Sequence, residues 1–473
     1  MPDERFHLIT PLKPFEGKLV DKYLVVKNWS INGNQYSFIS EVSIVEKEGR
    51  IYYNILEPYS EFREKVEEIL TLSKFWLKPE REYMNDPVGY FMNEVIRRYE
   101  PSGGLSEDLI KSVKYYLIRE ILGYGPLTTP INDPNVEDIS CAGVNRHVKI
   151  WHKNRNRLGW LTANLKFNEE ELDELVAKLV YRANKSVSVM NPIAEGVLPE
   201  GYRINASWKT EISDFGSSFT IRKFREKPYT ITELISMGTL DSWTASYLWL
   251  MMEFKGFILI MGASGSGKTT LLNAISMLVN PNAKIISIED VREIFLLHDG
   301  WKPLKTRIRE NPVEEGEDID LFDLVKFALR ERMDFLILGE SRGREARLLF
   351  QGAATGHGAI TTFHSSSIEA LLARLKNDPI SIGDSMLRLL DVVIHIIIVN
   401  RGGRVERKVK SVYENSNNGW REVISWNKGN SWNHDENMNR LFEKARNYGL
   451  SKSDVIKELN RRRKFLELSL IHI

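Results

Sequence analysis

The stretch Met261–Thr270, MGASGSGKTT, stands directly behind the apolar run Phe257-Ile-Leu-Ile260 and constrains the fold more than any other part of this 473-residue chain. From Gly262 to Thr269 it fits G-x-x-x-x-G-K-T, the spacing of a phosphate-binding loop. Such a loop needs glycines so that successive backbone N–H groups can turn toward phosphates, and it must open a helix whose N-terminus adds positive potential. Phe257–Ile260 supplies the strand; Gly262, Gly265 and Gly267 supply the pliant backbone, with Ala263, Ser264 and Ser266 between them; Thr270 to Val279 reads as the helix. In this pattern Lys268 reaches the β- and γ-phosphates and the Thr269 hydroxyl holds magnesium. The expected cofactors are therefore ATP and Mg2+.

A strand that feeds a phosphate loop needs parallel neighbours, and the chain supplies them. Ile285–Ile288, Phe335–Leu338, Ala359–Thr362 and Val392–Val399 are short apolar runs bounded mostly by glycine or acidic residues, the signature of a parallel sheet covered on both faces. Two of the runs end in carboxylates, Ser287-Ile-Glu289-Asp290 and Phe335-Leu-Ile-Leu-Gly-Glu340. Ligands bind at the carboxyl ends of the strands in an open α/β sheet, so both places suit contact with magnesium or with an attacking water. In Thr355-Gly-His357-Gly-Ala-Ile-Thr-Thr-Phe-His364 two histidines flank a strand, and a histidine there would sense the γ-phosphate. Metal ligation by these histidines would need a third ligand, and no cysteine or third histidine lies close by. Arg401-Gly-Gly-Arg404 reads as the turn of an antiparallel hairpin into Val405–Tyr413, the polar, Trp-bearing segment 415–437 as a loop, and Met438–Leu470 as a helical arm.

Length allows two or three domains at about one per 150 residues. Residues 1–80 mix β-branched runs with a charged helical stretch and read as an appended module. Residues 81–226 read as an α/β domain, 227–232 as a linker, and 233–473 as the nucleotide-binding domain with its helical arm. Sixty-five basic side chains against 64 acidic ones, a formal net charge of +1, argue against a global field for nucleic acid. The single cysteine, Cys141, excludes an internal disulfide framework and a four-cysteine zinc site, and reads as a small buried hydrophobe in a reducing compartment. No window reaches the about 18 apolar residues of a membrane span. The expected location is cytoplasmic, peripheral at the inner face of the cell membrane.

Taken in order, GASGSGKT, SIEDVRE, LILGESRGREA and TGHGAITTFHSSS resemble the Walker A, Asp box, Walker B and His box of the type II/type IV secretion ATPases. The chain is similar to the archaeal branch of that family, which includes the motors of archaeal pili and of the archaellum, from about Gly123 to Ile397. Upstream, Glu137–Cys141, Ser186–Pro192, Leu198–Gly201 and Phe219–Phe224 look like that branch's N-terminal domain. The resemblance implies an α/β N-terminal domain followed by a RecA-like phosphate-loop NTPase domain, assembled as a homo-hexamer with ATP held between the two domains. It implies that Glu289 is the catalytic glutamate and that Glu340 serves magnesium and water, with Asp290 as a further magnesium contact. It also implies that Arg203 and Arg222 contact the nucleotide, that His364 acts at the reacting phosphate, and that Thr270 and His357 complete the nucleotide contacts. Partners implied are a polytopic membrane platform protein and, indirectly, pilin-like subunits. The zinc module frequent in bacterial members has no counterpart here, while the Gly-Glu ending of the Walker B run is the family's own form. Archaellum assembly, DNA translocation and a nucleotide-gated scaffold are the competing expectations; the absence of a basic-aromatic stretch argues against DNA, and the presence of both carboxylates argues against the scaffold.

Overall fold

In the computed structural model the chain divides after Phe224 into one unit, Met1–Phe224, and a second, Arg225–Ile473. The structure describes residues 8–9, 11–77, 85–102, 104–153, 159–223, 228–307, 318–401, 404–416, 419–427, 429 and 431–472. The connection at residues 225–227 and the Gly402-Gly403 turn lie outside them. Of the expected linker 227–232, Ile231 and Thr232 already belong to a helix, Ile231–Ser236, that Thr230 and Glu233 start with a reciprocal cap.

The first unit is built on one sheet. Its strands are β1 (Lys18–Ile31), β2 (Asn34–Lys47), β3 (Arg50–Leu56), β4 (Val136–Cys141), β5 (Lys149–His152), β6 (Leu161–Ala163), β7 (Ile193–Val197), β8 (Arg203–Ser207) and β9 (Ser218–Arg222), in the spatial order β1-β2-β3-β6-β5-β4-β9-β8-β7. The strands of residues 18–56, expected in a module of their own, continue this sheet because Tyr52 and Tyr53 of β3 pair in parallel with Thr162 and Ala163 of β6. Helix Glu169–Arg182 covers the sheet with Leu172, Leu175, Val176 and Leu179, the i, i+3, i+4, i+7 rhythm of one face. Cys141 is buried on β4. A second cluster forms where Phe38 and Tyr36 meet helices Arg63–Trp76, Pro87–Tyr99 and Glu107–Leu117. Beneath it the buried Arg119 donates to both oxygens of Glu57 at 2.7 and 2.9 Å, to Glu120 at 2.5 Å and to the Ile9 carbonyl at 2.8 Å.

The second unit matches the parallel-sheet expectation. Its strands β10 (Phe257–Met261), β11 (Ile285–Glu289), β12 (Trp301–Lys305), β13 (Phe335–Leu338), β14 (Gly358–Phe363), β15 (Val392–Arg401), β16 (Arg404–Ser416), β17 (Gly419–Trp426) and β18 (Trp432–His434) lie in the order β12-β11-β13-β14-β10-β15-β16-β17-β18. The first six in that order run parallel and the rest antiparallel. Alternate residues of β10 feed two separate cores: Ile258 and Ile260 pack with Leu271 and Ile275 on one face, Phe257, Leu259 and Met261 with Phe350 and Leu371 on the other. That double burial is why β10 reads as an unbroken apolar run.

Segment 415–437, expected as a loop, instead holds the end of β16 together with β17 and β18, which extend the sheet edge. Its polar residues hid the strands because an edge exposed on one face needs only alternate apolar positions. Trp420 packs on one core and Trp432 on the other, and the Trp432 indole N–H donates to the Val409 carbonyl at 2.7 Å. The helical arm, Asn439–Arg446 and Lys452–Ser469, buries Leu441, Phe442, Val455, Leu459 and Leu466 in the core that holds Ile258, Ile260 and Trp432. At its root the fully buried Asp391 carboxylate accepts from the Phe257 N–H that begins β10 at 2.7 Å and pairs with Arg440 at 2.6 Å and Lys444 at 2.7 Å. Among the described residues no helix is long and apolar enough to cross a membrane.

Candidate functional site

Because β11, β13, β14 and β10 are adjacent and parallel, their C-terminal ends share one edge. Four sequence features meet there. β10 runs into the loop Gly262–Gly267 and the helix Lys268–Ser276; β11 ends in Glu289 and is followed by Asp290; β13 is followed by Gly339-Glu340; β14 is followed by His364.

The loop has the backbone a phosphate cradle requires. Gly265 and Gly267 sit at φ +73° and +91°, a left-handed region open to glycine. A β-carbon on Gly262 would stand 2.4 Å from the Ile396 carbonyl oxygen and 2.6 Å from the Ser266 hydroxyl. Ala263 O accepts from the Ser266 N–H at 3.3 Å and from the buried Lys268 ammonium at 3.0 Å. The Lys268 nitrogen also lies 3.3 and 3.4 Å from the two ring nitrogens of His364. Burial holds the lysine below its ordinary pKa, against the charge of Glu340. The Ser266 hydroxyl is buried with no hydrogen-bond partner among the described residues, an orphan polar atom in the loop that fits a site built for a polar ligand. Ala263 and Ser264 are exposed at the loop's crown, and Thr269 and Thr270 are half-buried in the first turn of the helix.

The two glutamates live in opposite environments. Glu289 is 5% exposed, and one of its oxygens accepts the Glu293 and Ile294 N–H groups at 2.9 and 3.0 Å. Burial outweighs those two bonds and pushes its carboxyl up to about 7. Glu340 also resists ionisation through burial, but a 2.6 Å bond from Arg342, with the charges of Arg342, His364 and Lys268, holds it below the usual carboxylate range. Its other oxygen lies 3.2 Å from His364 Nε2. Burial and the neighbouring Lys268 lower the His364 pKa in turn. One carboxyl is thus poised to exchange a proton near neutrality beside one that stays charged, a division suited to acid–base chemistry. Asp290 is exposed, and its side chain stands close enough to Arg342 to stabilise the guanidinium.

The histidines part company. His364 joins the edge, whereas His357 precedes Gly358 and so occupies the opposite, N-terminal end of β14, where its ring bonds Thr355 Oγ1 at 2.9 Å and the Gly352 carbonyl at 3.1 Å. Its expected part in nucleotide contact is corrected to closing the preceding helix, since a six-residue strand separates the two rings. Arg203 and Arg222 belong to the first unit, where they face each other in register on β8 and β9, and Arg222 also faces Asp138 of β4. Among the described residues no group of three or more histidine, cysteine, aspartate or glutamate side chains forms a metal site by itself.

Four further residues support the edge without having carried a sequence-based role of their own. Asn273, on the helix that opens at Lys268, donates to the Glu293 carbonyl and accepts the Phe295 N–H, both at 3.0 Å, which fixes the turn that presents two N–H groups to Glu289. Glu345 accepts the Arg342 and Gly343 N–H groups at 2.6 and 2.7 Å and so shapes the loop after Glu340. Arg342 is the ion-pair partner of Glu340. Arg374 donates to the His364 carbonyl at 2.8 Å and lies over the Phe363 ring. Arg342 and Glu345 stand within the LILGESRGREA stretch that ends β13, whereas Asn273 and Arg374 reach the edge through folding.

Residues 147–418, more than half of the chain, match the family described as type II/IV secretion system protein. Among curated relatives, an uncharacterized protein of Methanocaldococcus jannaschii is 40% identical over 301 residues, which cover 63% of this chain and 53% of that protein. The chain therefore spans about half the length of that relative. The type IV secretion system protein PtlH homolog of Bordetella bronchiseptica is 29% identical over 314 residues, covering 58% of this chain and 88% of that one. Among solved structures, the X-ray structure of the Legionella pneumophila ATPase DotB is 18% identical with a TM-score of 0.44, over 70% of this chain and 84% of that chain. On the match over residues 147–418, this chain belongs to the type II/IV secretion system protein family.

Proposed function

We propose that the protein is an ATP-hydrolysing motor that works as a homo-hexamer at the inner face of the cell membrane, driving assembly of pilus-like filaments or secretion through a separate membrane platform protein. The observation that carries the reading is the shared edge of the second unit, where a phosphate loop, the buried Glu289 carboxyl and the Glu340 carboxyl paired with Arg342 come together. Family membership, and the secretion-system name of the Bordetella relative, support the cellular setting.

Lys268 and the N–H groups of residues 262–269 would hold the polyphosphate, because the loop combines left-handed glycines with a buried ammonium at a helix start. Thr269, Glu340 and, through water, Asp290 offer hard oxygen donors suited to Mg2+, an ion shared with the phosphates rather than caged by protein alone. When bound, Mg2+ supplies charge neutralisation on the phosphate oxygens. Glu289 takes the proton of the attacking water, Glu340 orients that water, and His364 reports on the terminal phosphate from its place beside Lys268. Arg203 and Arg222 are assigned to the nucleotide by family resemblance, and Arg203→Gln and Arg222→Gln test that assignment in turnover.

Phosphate release by the purified full chain, measured over a range of subunit concentrations, tests the motor. Turnover per subunit that rises with concentration and collapses in Lys268→Ala and Glu289→Gln supports it. Nucleotide binding without phosphate release at any concentration, lipid included, would replace the motor with a nucleotide-gated scaffold.

A further inference from the structure

Arg407, on β16, lies against the phosphate loop from outside every motif. Its Nε donates to the Gly265 carbonyl at 3.1 Å, and its Cδ stands 3.1 Å from where a β-carbon on Gly267 would be. Glycine at 267 thus serves a close approach as well as a left-handed turn. The Nε bond leaves both terminal amino groups of the guanidinium without a hydrogen bond or ion pair among the described residues, although the side chain is fixed at its neck.

The strand beneath it is anchored. The next side chain, Lys408, is 2% exposed and donates to the Gly238 carbonyl at 2.7 Å, and the Val409 N–H donates to the Thr239 carbonyl at 2.8 Å. Arg407 is therefore presented by a strand tied into the body of the unit, the kind of support that fixes a binding group in advance. Lys268 is the loop's own cation, and its reach toward the β- and γ-phosphates leaves the α-phosphate without a cationic side chain from the loop. A planar guanidinium with two free amino groups meets phosphate oxygens in a fork.

We propose that Arg407 is a further phosphate-contacting cation of this site, clamping Gly265 through Nε and offering its terminal amino groups to the α- and β-phosphates of a bound nucleoside di- or triphosphate. The inference rests on the nucleotide-binding reading above. The choice of α and β follows from position: the loop's backbone cradles those phosphates, whereas Lys268 reaches toward β and γ. Arg407 accordingly sets affinity for ADP and ATP alike and leaves their ratio untouched.

The test is binding of Mg-ADP and Mg-ATP to the full chain by calorimetry, with steady-state turnover alongside, for wild type, Arg407→Gln, Arg407→Lys, Lys268→Ala and the exposed neighbour Lys410→Gln. Loss of a charge-assisted contact predicts about tenfold weaker binding of both nucleotides to Arg407→Gln, with the loss appearing in KM more than in kcat. Arg407→Lys, which keeps the charge without the fork, recovers part of it, and Lys410→Gln matches wild type. Wild-type affinity in Arg407→Gln, with binding lost in Lys268→Ala, overturns the proposal while sparing the site. Equal losses in Arg407→Gln and Arg407→Lys, together with a lowered unfolding midpoint of the nucleotide-free protein, reduce Arg407 to a loop clamp and overturn the phosphate contact. Failure of the wild-type protein to bind either nucleotide overturns both readings.

Discussion

Glu289→Gln removes a proton acceptor but keeps a carbonyl oxygen that can receive the Glu293 and Ile294 N–H groups. The consequence for stability is opposite in sign to that for activity. Moving this carboxyl from the ordinary value of 4.5 to about 7 means the folded protein holds a proton that the unfolded chain releases. Stability from this group is fully present below pH 4.5 and is lost as pH rises toward 7, reaching roughly 3 kcal/mol at ~1.4 kcal/mol per pH unit. A neutral glutamine escapes that loss. The variant should therefore be more stable than wild type by under about 1 kcal/mol at pH 5 and by roughly 3 kcal/mol at pH 8, while its ATP turnover falls to background. Hydrogen exchange of the β11 amides at both pH values reads the stability locally, separately from the first unit. Wild-type turnover should rise with pH through about 7, the limb of a base that must be deprotonated. A stability advantage independent of pH, or substantial turnover in the variant, would refute the reasoning.

Gly262→Ala should abolish nucleotide binding with little change in far-UV circular dichroism, because its methyl group meets the backbone oxygen of Ile396, which cannot swing aside. Removing the buried guanidinium in Arg119→Ala leaves the Glu57 carboxylate uncompensated, and urea unfolding should report a loss of about 3–5 kcal/mol. Asn273→Ala frees the turn that serves Glu289 without touching the phosphate loop itself. Its kcat should fall while Mg-ADP affinity, measured by calorimetry, stays near wild type.

The parts of the second unit that the sequence made legible are those with strong local rules. Phe257–Met261 and its parallel neighbours are apolar on both faces, so they stand out as runs, and the carboxylates and His364 end them where a parallel sheet gathers its ligands. Trp301–Lys305 was missed as β12 because an edge strand with a proline at its centre lacks that signature. Residues 419–434 were missed because their asparagines and tryptophans look like loop chemistry until β16 provides an edge to pair with. His357 and His364 share a motif yet stand at opposite ends of one strand, since only the strand's direction decides which ring reaches the ligand edge. Arg407 and Asn273 carry no motif; their roles arise from which strand or turn folds beside them.

The Asp391 carboxylate that receives the first N–H of β10 also receives the cations of Arg440 and Lys444. The strand that ends in the phosphate loop is therefore riveted at its far end to the helical arm. A shift of β10 cannot be absorbed locally without dragging the helix Asn439–Arg446 or stranding a charge in a dry interior. The arm's two cations are thus part of the strand's own seating. Trimming the arm in a truncated protein would unseat the loop's foundation rather than remove an accessory.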